Sequence, residues 1–141
     1  MNFPELLEKQ ARKNPDKPAI IFRDCPITFG QFSDSVFKLA NSLITLGIKK
    51  GDKVAIYLPN WPEYIYSYLA IWACGATAVP LDFMFTEDEL VSCLSHSKAK
   101  LLIAKHKANL TFNALGEKCP GLNKIIICHG FYQCKNVRAS F

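Results

Sequence analysis

Short, uniformly apolar segments alternate along most of this chain with segments of helical period. The apolar segments lack the alternation of polar and apolar residues that marks a strand with one face in water. We predict them as strands at residues 19–22, 54–58, 77–81, 101–104 and 125–128. Strands that are apolar on both faces are typical of a parallel sheet with helices on either side. The sequence therefore predicts an α/β fold with a mostly parallel sheet flanked by helices.

The segments between these strands carry helix signals. Thr28 and Gln31, and again Thr86 and Glu89, have the spacing of a capping box. Asn60 is placed to cap the helix that follows the second strand. We predict helices at residues 2–13, 29–46, 61–74, 87–95 and, more weakly, 110–118.

Composition narrows the class of protein. The chain has 141 residues, of which 50% are hydrophobic and 21% charged, which excludes a disordered tail and a collagen-like repeat. The apolar stretch 65–81 contains Gly75 and Pro80, so we interpret it as a buried helix and strand rather than a membrane span. The first residues show no secretory signal. We expect a cytoplasmic protein, with peripheral contact to a membrane left open.

Charge is unevenly distributed along the chain. The net charge is +5, but residues 98–141 hold eight basic side chains and only Glu117 as an acid. Such asymmetry indicates either solvated lysines or an anionic partner. The alternative function is therefore a non-catalytic binding module that uses the basic 98–141 region for anionic lipid or nucleic acid, with contacts from Lys98, Lys100, Lys105 and Lys107. Nucleic acid is the less expected partner, because no aromatic residues interleave with these lysines.

No residue pattern predicts an active site. Asp82 follows a predicted strand, but the acidic pair that a phosphoacceptor needs is missing after the preceding strand. Cys119, Cys128, His129 and Cys134 are zinc-ligand types at spacings unlike those of structural zinc sites. The seven glycines are isolated and form no phosphate-binding loop. We therefore predict no catalytic, cofactor-binding or metal residue in this chain.

Six segments occur in an order that is informative as a set. They are AIIF (19–22), TFGQF (28–32), LGIKKGDKVAI (46–56), LPNWPE (58–63), GATAVPL (75–81) and EL (89–90). Over about residues 3–105 they resemble the start of the AMP-forming adenylating superfamily, and in particular acyl-CoA synthetases of the fatty-acid ligase type. The sequence departs from that pattern after the first strand, where it has Arg23-Asp24-Cys25-Pro26 and the family commonly has Asp-Gly or Asn-Gly. The geometry of this turn is therefore open.

The resemblance implies a function for a longer enzyme. Members of this superfamily use ATP and Mg²⁺ to form an acyl-adenylate and pyrophosphate, and the ligases then transfer the acyl group to the thiol of coenzyme A. Their phosphate loop and other functional residues come later than any segment of this chain, so we carry none of them over. We expect this chain alone to be inactive, with the remainder of the enzyme as its partner.

The resemblance also implies how the chain is divided. We expect residues 1–128 to be a partial N-terminal subdomain and residues 129–141 an irregular basic tail, which a truncated or frameshifted reading frame would explain. Without its partner the chain is expected to expose apolar surface and to self-associate. The acyl substrate stays open, as does the choice between a fatty-acid ligase, an aryl-CoA ligase, a luciferase-like enzyme and a peptide-synthetase adenylation domain.

Overall fold

The computed structural model of the chain describes residues 2–107 and 110–129. The predicted alternation of helices and strands is confirmed, with ends that differ by a few residues. The elements are α1 (Phe3–Lys13), β1 (Pro18–Phe22), β2 (Cys25–Thr28), α2 (Phe29–Thr45), β3 (Lys53–Tyr57), α3 (Pro62–Ala73), β4 (Thr77–Pro80), α4 (Glu87–Ser97), β5 (Leu101–Lys105), α5 (Phe112–Lys118) and β6 (Lys124–Cys128). Within the described residues, no helix is long and apolar enough to cross a membrane.

Four strands form the parallel sheet that the sequence predicts. Their order is β4-β3-β5-β6 and every neighbouring pair is parallel. The segment at 19–22 does not join this sheet, because β1 pairs antiparallel with β2 in a separate hairpin. The sequence missed β2, a four-residue strand that contains Pro26. Proline is tolerated there because a strand of a two-stranded ribbon has a free edge.

Helices cover both faces of the sheet. Val54, Ile56 and Ile103 point to one face and pack with residues of α1, α2 and α3. Tyr57 and Leu102 point to the other and pack with residues of α4 and α5. The two apolar cores explain why these strands are apolar in both directions.

Capping boxes fix the starts of three helices. Asn2 and Glu5 form one at the start of α1. The boxes predicted from the sequence at Thr28 and Thr86 are confirmed at the starts of α2 and α4. Reciprocal side-chain bonds of this kind satisfy backbone N–H groups that a helix start leaves without partners.

Asp52 ties together two loops at the amino-terminal edge of the sheet. Its Oδ2 accepts the Lys49 backbone N–H at 2.9 Å, and its Oδ1 accepts from Lys100 Nζ at 2.5 Å. The Gly51 N–H donates to the Gly75 carbonyl at 3.0 Å, with both glycines at positive φ. The Lys100 ammonium, followed by the Lys49 N–H, holds the pKa of Asp52 below its ordinary value of 3.8.

The hairpin turn between β1 and β2 is formed by Arg23 and Asp24, with φ of 50° and 61°. Two consecutive residues in the left-handed region are the signature of a type I′ turn, which matches the twist of the flanking strands. The turn geometry is therefore that of an Asn-Gly turn, although neither residue here is glycine. The left-handed conformation costs a residue with a Cβ about 1–2 kcal/mol.

We expect Asp24→Gly to raise the free energy of unfolding by about 1 kcal/mol, because glycine adopts positive φ without a steric cost. Asp34→Gly is the matched control. It makes the same exchange at an exposed position inside α2 and should lower the free energy of unfolding by about 1 kcal/mol. Urea denaturation of both variants measures the two changes. Destabilisation by Asp24→Gly would contradict the strained turn.

The Asp52 contact predicts a pH dependence. Because the pKa of Asp52 is lower in the folded state, its carboxylate stabilises the fold fully above pH 3.8. This contribution to the free energy of unfolding is lost as the pH falls through the pKa of the folded state. In Lys100→Met the pKa of Asp52 should rise, and the free energy of unfolding should fall less steeply below pH 3.8 than in the parent. Lys98→Met, which removes a neighbouring lysine, serves as control. Equal slopes in Lys100→Met and the parent would show that the contact is unimportant.

Candidate functional site

The strand order reverses between β3 and β5. The chain passes from β3 to β4 on one side and then returns to β5 on the other side of β3. In open α/β sheets, ligands bind outside the carboxyl ends of the strands at such a switch point. The loops after β3, β4 and β5 meet at this carboxyl edge, which makes it the candidate site.

An aromatic ring and two cations lie at the switch point. Lys105, the last residue of β5, places its Nζ 3.4 Å from the centroid of the Trp61 ring. The Arg23 guanidinium of the hairpin turn lies 5.4 Å from the same centroid. Such contacts orient cations against the ring face. Lys105 and Arg23 therefore place positive charge at the switch point.

A second set of contacts holds the loop after β4. The Tyr57 hydroxyl at the end of β3 donates to the Phe85 carbonyl at 2.9 Å. Lys107 Nζ donates to the Phe83 carbonyl at 2.8 Å and to the Tyr57 hydroxyl at 3.3 Å. A cavity of about 200 Å³ lies against these groups and against Glu87 at the start of α4. Tyr57 and Lys107 thus join the ends of β3 and β5 to the loop after β4. The sequence did not single out Tyr57, and it singled out Lys107 only as part of a basic stretch.

A cavity of about 450 Å³ lies between the loops after β3 and β4, with Asn60, Tyr64 and Asp82 as its polar lining. Asp82 Oδ1 accepts the Met84 backbone N–H at 2.8 Å, a bond that shapes the loop. Burial, reinforced by a hydrogen bond with Tyr68, raises the pKa of Tyr64, so its hydroxyl stays protonated at neutral pH. Within the described part of the chain, no group of three His, Cys, Asp or Glu side chains could hold a metal.

The start of α3 differs from the sequence prediction. The N-cap is Trp61, whose side chain makes no capping bond, and Asn60 is exposed one residue earlier. The prediction that Asn60 caps this helix is wrong, because Pro62 and Glu63 lie in the first turn and shift the helix start by one residue.

Glu63 is buried, with only 4% of its surface exposed, although it lies in the first turn of a helix. Among the described residues its Oε2 has no hydrogen-bond partner. Burial and, secondarily, this carboxylate raise the pKa of the Cys128 thiol to about 12, and the same two causes raise the pKa of Tyr66. The sequence gives no signal for this burial, since an acid near a helix N-terminus is ordinarily solvated.

Two of the cysteines singled out in the sequence, Cys119 and Cys128, do not converge. Cys119 follows α5, and its Sγ lies 3.8 Å from the Val91 carbonyl oxygen. Cys128 is the last residue of β6, at the carboxyl edge, so the length of that strand separates the two. Cys134 lies outside the described residues. The prediction that the chain carries no catalytic, cofactor-binding or metal residue stays a prediction.

Comparison with known proteins identifies the family. The AMP-binding enzyme family matches residues 7–136. This match extends beyond residue 105, where the resemblance seen in the sequence ends. Acetyl-coenzyme A synthetase 1 of Candida albicans is 35% identical over 137 residues, 86% of this chain and 20% of that protein. Oxalate–CoA ligase of Arabidopsis thaliana is 36% identical over 106 residues, 74% of this chain and 21% of that protein. The chain thus spans about a fifth of the length of these two relatives.

Solved structures agree with the sequence match. The N-terminal domain of FACL13 from Mycobacterium tuberculosis superposes with a TM-score of 0.81 at 26% identity, over 90% of this chain and 34% of that one. The long-chain-fatty-acid-CoA ligase FadD1 from Archaeoglobus fulgidus gives a TM-score of 0.82 at 26% identity, over 92% of this chain and 28% of that one. The family match and the shared fold lead to one conclusion: the chain belongs to the AMP-binding enzymes and has the sequence and fold of their N-terminal region.

Proposed function

We propose that this chain is the N-terminal part of an ATP-dependent acyl-CoA ligase. The complete enzyme would use ATP and Mg²⁺ to convert a carboxylate, with a fatty acid as substrate, to an acyl-adenylate and pyrophosphate. It would then transfer the acyl group to the thiol of coenzyme A. The observation that carries this proposal is the superposition on a long-chain-fatty-acid-CoA ligase over 92% of the chain. Two of the relatives named above are also synthetases or ligases of coenzyme A thioesters.

The described residues do not form a cradle for the phosphates of ATP. A cradle needs clustered backbone N–H groups at a glycine-rich turn. The described glycines with positive φ, Gly47, Gly51 and Gly75, precede β3 and β4 at the opposite edge of the sheet. We therefore assign no step of the reaction to this chain. Its part is to form and hold the carboxyl edge, through Tyr57 and Lys107 in particular.

The chain incubated with ATP, Mg²⁺, coenzyme A and fatty acids should release no pyrophosphate. The reason is that the groups which bind the phosphates must come from the remainder of the enzyme. A coupled pyrophosphate assay measures this directly. Steady turnover by the chain alone would show that the missing segments are dispensable.

A chimeric enzyme tests whether this chain can serve as the N-terminal part of an active ligase. Residues 7–128 would replace the corresponding segment of the FadD1 ligase, whose fold they share. The chimera should form fatty acyl-CoA, since the carboxyl edge is held by this chain's own contacts. The matched control is the same chimera with Lys107→Met, which should be slower because the loop after β4 loses a hydrogen bond to its carbonyl. A folded chimera without ligase activity would contradict the proposal.

The outer face of α3 is the surface we assign to the remainder of the enzyme. The rings of Tyr64 and Tyr68 are in contact along it, with centroids 5.4 Å apart and planes tilted by 54°, and Ile65 beside them is 43% exposed. Ile65, Ile21 and Trp61 line a cavity of about 330 Å³ between α3 and the hairpin. An exposed apolar surface of this kind ordinarily contacts another protein surface. The remainder of the same enzyme is the occupant that the short coverage of the relatives supports.

Without that remainder, the isolated chain should self-associate through this face. Ile65→Asp should shift the chain toward monomer, because a charge on the face opposes its burial. Ile44→Asp is the matched control, since Ile44 is 55% exposed on α2. Size-exclusion chromatography with light scattering, alongside a dye that reports apolar surface, measures both variants. A monomeric parent without dye binding would show that the face needs no partner.

The alternative binding module depends on the lysines at 98–107, and the structure divides them. Lys98 and Lys100 precede β5, whereas Lys105 and Lys107 lie at its carboxyl end. Lys105 contacts the Trp61 ring and Lys107 binds a backbone carbonyl. The stretch therefore does not form one basic surface, and we keep the ligase as the proposed function.

A further inference from the structure

Six lysines gather at the amino-terminal edge of the parallel sheet. They belong to the loops before β3 and β5 and to the first residues of β3 and β6: Lys49, Lys50, Lys53, Lys98, Lys100 and Lys124. All six are exposed. We call this set the lysine edge.

Backbone hydrogen bonds show that these lysines are neighbours. The Lys100 N–H donates to the Lys53 carbonyl at 2.9 Å, and the Asn123 N–H donates to the Lys100 carbonyl at 2.8 Å. Lys53 and Lys124 begin β3 and β6, and Lys100 directly precedes β5 between them. Neighbouring strands lie about 5 Å apart in a sheet. In the loops that precede β3, β5 and β6, Asp52 is the one acid, and Lys100 already binds it. The edge carries a dense positive charge.

An apolar cluster borders the lysine edge. Phe3 and Trp72 stack with ring centroids 5.6 Å apart, and they are 64% and 40% exposed. Leu6 is exposed beside them, and the three line an apolar cavity of about 380 Å³. Trp72 lies in the last turn of α3, at the end of the molecule where α3 leads into β4.

Gly75 connects the cluster to the lysines. Its N–H donates to the Trp72 carbonyl at 2.9 Å. Lys50 packs against the same glycine, with its Cγ 3.2 Å from the position that a Gly75 Cβ would occupy. The aromatic cluster therefore lies next to the part of the lysine edge that Lys50 forms.

We propose that this surface binds an anionic membrane. Protein surfaces that lie in the lipid interface combine tryptophan, phenylalanine and leucine with lysine. Their aromatic rings lie at the level of the headgroups, and their lysines contact anionic lipid. The cores of protein interfaces are instead depleted of lysine. Nucleic acid is disfavoured because Phe3 and Trp72 stack on each other, which occupies ring faces that bases would need. The proposal does not depend on the ligase assignment.

The test is flotation of the full chain with vesicles in a density gradient, in which protein aggregates stay at the bottom. The chain should float with vesicles of phosphatidylcholine mixed with phosphatidylserine and not with phosphatidylcholine alone. Added salt should release it, because salt screens the attraction between lysines and lipid. A chain that stays at the bottom with both kinds of vesicle would overturn the proposal.

Two triple variants separate the lysine edge from general basicity. The test variant combines Lys53→Gln, Lys98→Gln and Lys124→Gln, and it leaves the Lys100 contact intact. The control combines Lys13→Gln, Lys17→Gln and Lys38→Gln, which remove the same charge from exposed positions elsewhere.

The test variant should bind anionic vesicles on the order of 100-fold more weakly, since each lysine near such a surface contributes a factor of about five. The control variant should lose far less affinity for anionic vesicles. Circular dichroism checks that both are folded. Equal losses, or retention on a duplex oligonucleotide without vesicle binding, would overturn the proposal.

The two tryptophans supply an independent readout. Trp61 begins α3 at the carboxyl edge and Trp72 ends it beside the lysines. In Trp61→Phe, the emission of Trp72 should shift to the blue when anionic vesicles are added. In Trp72→Phe, the emission of Trp61 should not shift. A shift of Trp61 alone would place the membrane at the wrong end of the molecule.

Discussion

The burial of β3 and β5 on both faces is the constraint on which the rest of the structure depends. Both strands are paired on each side, and Val54, Ala55 and Ile56 have no exposed surface. Strands of this kind are stable only when helices shield both faces from water. The crossover helices α3 and α4 therefore lie on opposite sides of the sheet. Because the direction of winding reverses between them, the carboxyl ends of β3 and β5 open a crevice.

The sequence predicts those parts of the structure that depend on local pattern. Apolar runs at 54–58 and 101–104 located the central strands, and capping boxes at Thr28 and Thr86 located helix starts. These signals are short-range, since strand burial and capping are recorded in neighbouring residues. The short strand β2 escaped because Pro26 is a signal against a strand in a sheet interior, and only pairing with β1 at a free edge makes it tolerable.

The site was less predictable because its contacts join distant segments. Lys107 reaches Tyr57 across 50 positions of sequence, and neither residue belongs to a motif. The carboxylate of Glu63 influences the thiol of Cys128, at the far end of the described chain. Periodicity carries no information about such pairs, which exist only because the sheet order brings the ends of β3, β5 and β6 together. The surroundings of the two ends of α3 were unpredictable for the same reason, because they depend on the strand order and not on the sequence of the helix.

The strand order also has a consequence for the nascent chain. β3 pairs with β4, which follows soon after, but its other neighbour, β5, is completed only at Lys105. Until β5 has emerged from the ribosome, one edge of a strand with three consecutive buried apolar residues, Val54 to Ile56, has no partner. An unpaired apolar edge is a template for pairing with other chains. The time between the emergence of β3 and that of β5 from the ribosome is thus the interval in which this edge is most open to pairing with other chains.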